Sequence, residues 1–236
     1  MGLVGSDCIT IYQNKSSRIR SLNKLPQNQN GDYVLYWMTA TRRYHYNSGL
    51  DRAVEIALEI NKPILVVECI SIRHKWANER ILSFVVQGML DNIKIFAANN
   101  ITYLPWVETH IDAGNHLLVK LSQHACHIII DDYPTYTPRK IMERAADICK
   151  VKLEAADSNG ILPMAWAEKE HLTAYSFRKH MQKNMADALM SLPNRNIMEN
   201  INQNLEFSEL EMVSLFEAIE IEFTPLEWLW RVGEVG

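Results

Sequence analysis

The sequence predicts an α/β domain built on an open parallel sheet of five strands, with helices on both faces and further helices at the C-terminal end. Three observations predict this class. Short apolar runs alternate with amphipathic stretches from residue 32 onward, some of the runs are apolar without interruption, and the connections are short. An uninterrupted apolar run is typical of a parallel strand that is covered on both faces.

Each element is predicted from its local pattern. Residues 1–30 are polar and rich in Asn, Gln and Ser, which indicates a flexible N-terminal arm with a short helix near 17–22. The predicted strands are 33–37, 63–69, 101–107, 127–131 and 151–155. The predicted helices start at Asn47 or Ser48 and at Pro138, and span 78–98, 114–124, 168–191 and 208–221. These elements give an α/β domain over 31–165 and a helical linker over 166–236.

The composition is that of an ordinary globular chain. The 236 residues are 47% apolar and 22% charged, with a net charge of −4. This balance argues against strong nucleic-acid binding. The apolar runs are too short to span a membrane and no secretory signal pattern is evident, so we expect a cytoplasmic protein. The four scattered cysteines form no CxxC pair and are expected to be reduced thiols.

The turn after the first predicted strand carries the densest polar cluster. Two hydroxyls and two guanidiniums follow one another there, on Thr39, Thr41, Arg42 and Arg43. In a parallel sheet this turn lies at the carboxyl end of its strand, where ligands bind, and the cluster suits an anionic ligand. The alternative is that the arginines pair with carboxylates such as Asp131 or Asp132.

The common phosphate-binding loops are missing from the sequence. There is no GxxxxGK[ST] and no GxGxxG after a strand, which argues against a P-loop NTPase and an ordinary dinucleotide site. Asp131 and Asp132 could hold Mg²⁺ or act as acid and base, but adjacent strand residues point to opposite faces, which favours structural roles. His124, Cys126 and His127 lack a fourth ligand for zinc, so no metal site is predicted.

A set of motifs appears in a fixed order across residues 18–181. The motifs are RIRSLN at 18–23, YVLYWMTATRR at 33–43, WANER at 76–80, DDYP at 131–134, LEAADSNGILP at 153–163 and TAYSFR at 173–178. The ordered set resembles the N-terminal α/β antenna domain of class II-like deoxyribodipyrimidine (DNA) photolyases, within the photolyase/cryptochrome family. No single motif is decisive; the order is what is specific.

The resemblance implies a Rossmann-like fold that holds a light-harvesting chromophore: a deazaflavin, a flavin or a folate. It implies that excitation passes to a reduced FAD in a helical domain, where a pyrimidine dimer flipped out of DNA is split. Too few residues follow the motifs to form that helical domain. We therefore expect an antenna-type domain that stands alone, with no FAD site and no catalytic residue, docked to a flavoprotein partner. The expected cofactor-binding residues are Trp37, Thr39, Arg42, Arg43, Asn78, Arg80 and Asp131.

Two other functions stay open at this point. The first is a nucleotide-binding enzyme re-purposed from the fold, in which Arg42, Arg43 and Asp131 would bind phosphate and Mg²⁺. The second is a non-catalytic interaction module whose docking surface is the acidic C-terminal segment, with the apolar residues at 225–230.

Overall fold

The computed structural model of the chain describes residues 17–71, 77–108, 116–167, 169–199, 201 and 204–219. The strands in these ranges are β1 (Ile19–Ser21), β2 (Tyr33–Met38), β3 (Ile64–Ile70), β4 (Thr102–Val107), β5 (Ala125–Asp131) and β6 (Leu153–Ala156). The α-helices are α1 (Ser48–Ile60), α2 (Glu79–Ala97), α3 (Leu117–His124), α4 (Tyr136–Ile148), α5 (Ala174–Met190) and α6 (Glu209–Ile219); a 3₁₀ turn spans Met164–Trp166. Strands and helices alternate from β2 to β6, as the sequence predicts.

The six strands form one sheet in the order β1-β6-β5-β2-β3-β4. Strands β2 to β6 run parallel, and β1 pairs antiparallel with β6 at one edge. The α/β class with a mostly parallel sheet is confirmed. The five predicted strands form its parallel part, and β1 adds a sixth strand at one edge. The chain builds outward from β2 to β4 and then returns to β5, so the strand order reverses between β2 and β5. Open α/β sheets bind ligands at such a reversal.

Alternate side chains of β2 enter two different apolar cores. Tyr33, Leu35 and Trp37 face one core, which includes residues of α3 and α4. Val34 and Tyr36 face the other core, which includes residues of α1 and α2. Because helices cover both faces, every residue of β2 is buried, and the strand is therefore an apolar run rather than an alternating pattern.

Strand β1 is where the structure departs most from the prediction. The short helix expected near 17–22 is wrong, because Ile19–Ser21 pair with β6 instead. Arg18, just before the strand, is buried, and its guanidinium donates to carbonyl oxygens in the loop after β6 at 3.0 and 2.5 Å. These partners are distant in sequence, so no local pattern announces the strand. Residues 1–16 of the predicted arm lie outside the described residues.

The C-terminal segment contains the two predicted helices with shifted bounds. Helix α5 buries only Ala188, whereas Leu215 of α6 enters the core beside α3 and α4. The boundary between the α/β domain and the linker stays a prediction, and the apolar segment 225–230 lies outside the described residues. In the part of the chain that the structure describes, no helix is long and apolar enough to cross a bilayer.

Candidate functional site

The carboxyl ends of β2 and β5 meet at the reversal of the strand order. Trp37 pairs with Ile130 across these strands, so the turn after β2 lies beside Asp131, the last residue of β5. The predicted site residues that reach this edge are Trp37, Thr39, Arg42, Arg43 and Asp131. We call the space outside this edge the β2–β5 crevice.

Asp131 occupies the amide-lined hollow of the turn that follows β2. Its Oδ2 accepts the backbone N–H groups of Thr39, Ala40 and Thr41 at 2.8, 2.7 and 2.9 Å. Its Oδ1 accepts the hydroxyl of Tyr36 at 2.7 Å. Successive amides of this kind form a concave site for an anion, and here the anion is the chain's own carboxylate. Asp131 therefore has a structural role, as a cap for the turn after β2.

Tyr36 and Asn47 connect this turn to the first helix. The Tyr36 hydroxyl lies 3.0 Å from Asn47 Oδ1, which also accepts the N–H groups of Gly49 and Leu50 and so caps α1. Burial, followed by the charge of Asp131, raises the pKa of Tyr36 well above its ordinary value, which keeps its proton available for donation. A side chain at Gly49 would meet the Tyr36 ring at 2.6 Å, so only glycine lets the ring lie beneath the helix.

Arg42 pairs with neither of the acids that the sequence offered as partners. Its Nη1 donates to Glu68 Oε1 at 2.8 Å, and its Nη2 donates to the Cys69 carbonyl at 3.0 Å. Glu68 is 1% exposed and also accepts from Asn92 at 3.0 Å and Tyr103 at 2.5 Å. The network ties the turn to β3, β4 and α2. Arg42 does pair with a carboxylate, as the alternative held, but the partner is the buried Glu68 and not Asp131 or Asp132.

Arg43 makes its contacts with backbone carbonyls rather than with a carboxylate. It donates to the oxygens of His45, Tyr46 and Ser158 at 3.1, 3.2 and 3.0 Å. The last contact links the turn to the loop after β6. The expected pairing with Asp131 or Asp132 is therefore wrong for Arg43 as well.

Trp37, Asn78 and Arg80 lie on β2 and at the start of α2. Trp37 is 9% exposed and packs in the core on the opposite face from Tyr36. Asn78 caps α2, because its side chain accepts the N–H of Ile81 at 3.0 Å. Arg80 is exposed in the first turn of α2, beyond the carboxyl end of β3. Of the seven predicted residues, Trp37, Thr39 and Arg80 are the three whose side chains carry no hydrogen bond or ion pair among the described residues.

Asp132 serves a different part of the molecule from its neighbour. Its carboxylate receives Arg20 of β1 in a bidentate pair at 2.5 and 3.0 Å, and its carbonyl accepts from Asn159 at 2.6 Å. Asp131 faces the turn after β2, whereas Asp132 faces the β1 edge. The two side chains therefore face different partners, as expected of adjacent residues at the end of a strand.

A second buried charged cluster lies where α1 covers β5 and β6. Glu154 accepts from Arg52 Nε at 2.8 Å and lies 3.4 Å from His127 Nε2. Burial alone would raise the pKa of Glu154, but His127 and Arg52 hold it well below its usual range. His124 instead contacts Asp32 at 3.2 Å. The two histidines that the sequence offered as zinc ligands, His124 and His127, therefore contact different acids.

Sequence reasoning missed the buried acids Glu68 and Glu154. Each interrupts an apolar strand, and a charge in that position must be paired or hydrogen-bonded to be tolerated. That interruption was the available signal. It indicates that a partner exists, but it does not say which residue supplies the partner.

No protein-family model matches the chain. Two curated proteins are similar to it, both named deoxyribodipyrimidine photo-lyase. The protein of Methanothermobacter thermautotrophicus is 28% identical over 183 residues, and that of Arabidopsis thaliana is 27% identical over 192 residues. This chain is related to the deoxyribodipyrimidine photolyases.

The relationship covers most of this chain but less than half of the photolyases. The alignments include 77% and 75% of the chain, and 40% and 36% of the two relatives. The ordered motifs and these similarities point to the same relatives. The alignments leave out more than half of each relative.

Proposed function

We propose that this chain is the antenna-type α/β part of a photolyase-related system, and that dimer splitting requires a separate flavin-carrying part. The observation that carries the proposal is the uneven coverage: 77% of this chain aligns with 40% of one photolyase. The residues available here would receive or hold a light-absorbing group. The chemistry at the pyrimidine dimer would belong to the remaining portion.

For the chromophore, we propose the β2–β5 crevice, with two classes of residue. Arg42, Arg43 and Asp131 are engaged by internal contacts and would fix the shape of the crevice. The rim, with Thr39 and Arg80, would contact the pigment, which is a deazaflavin, a flavin or a folate. An antenna needs a rigid frame and no acid or base, so a crevice stiffened by a buried hydrogen-bond network suits this role.

The nucleotide-enzyme alternative is weaker at the same edge. It requires phosphate or Mg²⁺ near Arg42, Arg43 and Asp131. The carboxylate already fills the turn's amide hollow, and Arg42 already neutralises Glu68. A phosphate would have to displace an internal anion to use these amides.

The first experiment is an absorption spectrum of the purified chain, with denaturation and mass analysis of any released ligand. We expect a chromophore with absorption beyond that of protein. Variants Arg80→Ala and Thr39→Val should lower its occupancy, whereas Arg139→Ala, an exposed arginine on α4, should not. Absence of any chromophore, together with tight ATP binding in calorimetry, would sink the antenna role in favour of the nucleotide enzyme.

The second experiment measures repair. The chain with added FAD, under light, should leave the pyrimidine dimers of a DNA substrate unchanged, because dimer splitting is assigned to the flavin-carrying part. Light-dependent loss of dimers with these components alone would refute the division of labour.

Helix α5 is our proposed contact with the flavin-carrying part. Its apolar side chains are exposed, Tyr175 at 72% and Met190 at 77%, and Leu172 just before it reaches 88%. Exposed large apolar side chains are a feature of partner-binding surfaces. A tagged chain should retain a protein with flavin absorbance, and Tyr175→Glu should release it. Tyr136→Glu, on a tyrosine of α4 that is 85% exposed, is the matched control; equal retention by both variants would contradict the assignment.

A further inference from the structure

A groove of about 810 Å³ lies beside β1. We call it the β1–α4 groove. Ile19, Arg20 and Leu22 form one wall, and Glu143 and Asp147 of α4 contribute to the other. Peptides that add to a strand edge are also recognised by pockets beside that edge, which take alternate side chains.

The backbone of β1 has an open side that faces away from β6. The pairing register places Arg20 opposite Ala155, and the flanking bonds are Leu22 N–H to Leu153 at 2.9 Å and Asp157 N–H to Arg18 at 2.8 Å. Antiparallel strands exchange hydrogen bonds at every second residue. Arg20 is therefore one of the residues whose backbone groups point toward β6. The N–H and C=O groups of Ile19 and Ser21 therefore point outward.

These outward groups are unused within the described part of the chain. Ser21 is exposed and Ile19 half-buried, and neither backbone forms a hydrogen bond to another described residue on the outer side. An edge strand with free backbone groups is a template for another strand. Within the three residues of β1, Ile19 and Ser21 are the two whose backbone groups can pair with an added strand.

The walls of the groove indicate which side chains an added strand would carry. Leu22 and Met142 supply apolar surface. Arg139 already engages Glu143 at 2.9 Å, whereas Asp147 is exposed and has no ion-pair partner among the described residues. The charge left uncompensated on the helix wall is therefore negative.

We propose that the β1–α4 groove binds an extended peptide segment of another protein by strand addition to β1, with an apolar residue over Leu22 and Met142 and a basic residue paired with Asp147. Backbone hydrogen bonds would provide affinity, and the two wall contacts would provide sequence preference. The proposal does not depend on the photolyase-related role.

A second copy of this chain is a poorer occupant than a peptide. Two β1 strands that paired symmetrically through Ile19 and Ser21 would place Arg20 directly opposite the partner's Arg20. Like charges in opposed positions of antiparallel strands are destabilising. A basic–apolar peptide avoids this contact because its register is free.

The test uses the full chain and a capped, fluorescent six-residue peptide of alternating valine and lysine. Fluorescence polarisation should show saturable binding. Ser21→Pro removes the outward N–H without removing a bond to β6, and it should weaken binding by about tenfold or more, as expected for a lost hydrogen bond and a blocked edge. Ser21→Ala keeps the N–H and is the matched control, so its affinity should equal that of the wild type. Asp147→Asn should weaken binding severalfold at low salt and less at high salt.

A second peptide keeps the test decisive even where Ser21→Pro does not fold. Methylation of the backbone nitrogens on the edge that pairs with β1 leaves the side chains unchanged and should abolish binding to the wild-type chain. Failure of the unmodified peptide to bind, or equal binding of the methylated one, would overturn strand addition. Self-association that Ser21→Pro abolishes, seen by light scattering, would instead assign the edge to a second copy and overturn the peptide proposal.

Discussion

The carboxyl end of β2 and β5 and the outer side of β1 differ in whether their polar groups are already hydrogen-bonded to other described residues. In the β2–β5 crevice, Asp131 accepts three amide N–H groups and a tyrosine hydroxyl. At the β1–α4 groove, the outward backbone groups of Ile19 and Ser21 meet no partner among the described residues. Topology marks the first edge as the ligand side, whereas unused donors and acceptors mark the second.

The comparison shows that the position of an edge in the fold and its capacity to bind are separate properties. A group already engaged inside the chain must lose that contact before it can serve a ligand. The β2–β5 crevice therefore offers a ligand its rim, while its base is part of the folded framework. The predictions below test how firmly each edge is held.

The largest effect is expected from Asp131→Ala. This change leaves three buried or half-buried amides and the Tyr36 hydroxyl without their acceptor, at about 1–3 kcal/mol for each group that water cannot reach. We expect the free energy of unfolding to fall by at least about 3 kcal/mol in urea denaturation.

Asp131→Asn is the matched control for this change. The amide keeps the size of the side chain but has one acceptor oxygen, so an intermediate loss of stability is expected. A loss below about 1 kcal/mol for Asp131→Ala would show that the hollow is not what holds the turn. It would also make the crevice base available to an external anion.

The second effect concerns the buried acid that Arg42 neutralises. Arg42→Leu leaves Glu68 buried without its ion-pair partner, which costs roughly 3–5 kcal/mol when such a pair is broken. The double variant Arg42→Leu with Glu68→Gln removes the stranded charge and should recover part of that stability. Urea unfolding of the wild type, both single variants and the double variant gives the coupling energy. A double variant no more stable than Arg42→Leu would contradict an electrostatic origin.

The parts of the fold that sequence reasoning predicted are those with a local signal. The β2 run, the Asn47 cap and the placement of the polar turn at a carboxyl edge follow from patterns a few residues long. Strand β1 has three residues in a polar context, and it is stabilised by Arg18 and by pairing with β6, far along the chain. A local pattern contains none of that information.

The same limit applies to the candidate site. The sequence brought Thr39, Arg42 and Asp131 to one edge, because parallel strands end on the same side. It did not identify the partner of Arg42, because Glu68 is one of many acids and its pairing depends on how β3 lies beside β2. Choosing among carboxylates required the register of the sheet.

The third prediction concerns how the free energy of unfolding changes with pH, which should differ between a buried ion pair and a surface one. The pKa of Glu154 is lowered in the folded chain, so its contribution to stability is present above the unfolded pKa of about 4.3 and is lost as pH falls toward the folded value. The free energy of unfolding should therefore decrease between about pH 5 and pH 2.5. Glu154→Gln should remove part of that slope, whereas Glu143→Gln, at an exposed helix pair, should leave it unchanged. Equal slopes for the wild type and Glu154→Gln would contradict the assignment.

The smallest effect is expected at the β1 edge itself. Arg20 is 52% exposed where it pairs with Asp132, and ion pairs of this exposure contribute about 1 kcal/mol or less. Arg20→Ala should therefore lower the free energy of unfolding slightly, and the loss should shrink further at high salt. Because the Arg20 backbone, not its side chain, bonds β6, the strand should stay paired, and strand addition at Ser21 should continue in the variant. A stability loss as large as that of Asp131→Ala would contradict this. It would mean that the Arg20 side chain is needed to hold β1 in the sheet, as Asp131 is needed to hold the turn after β2.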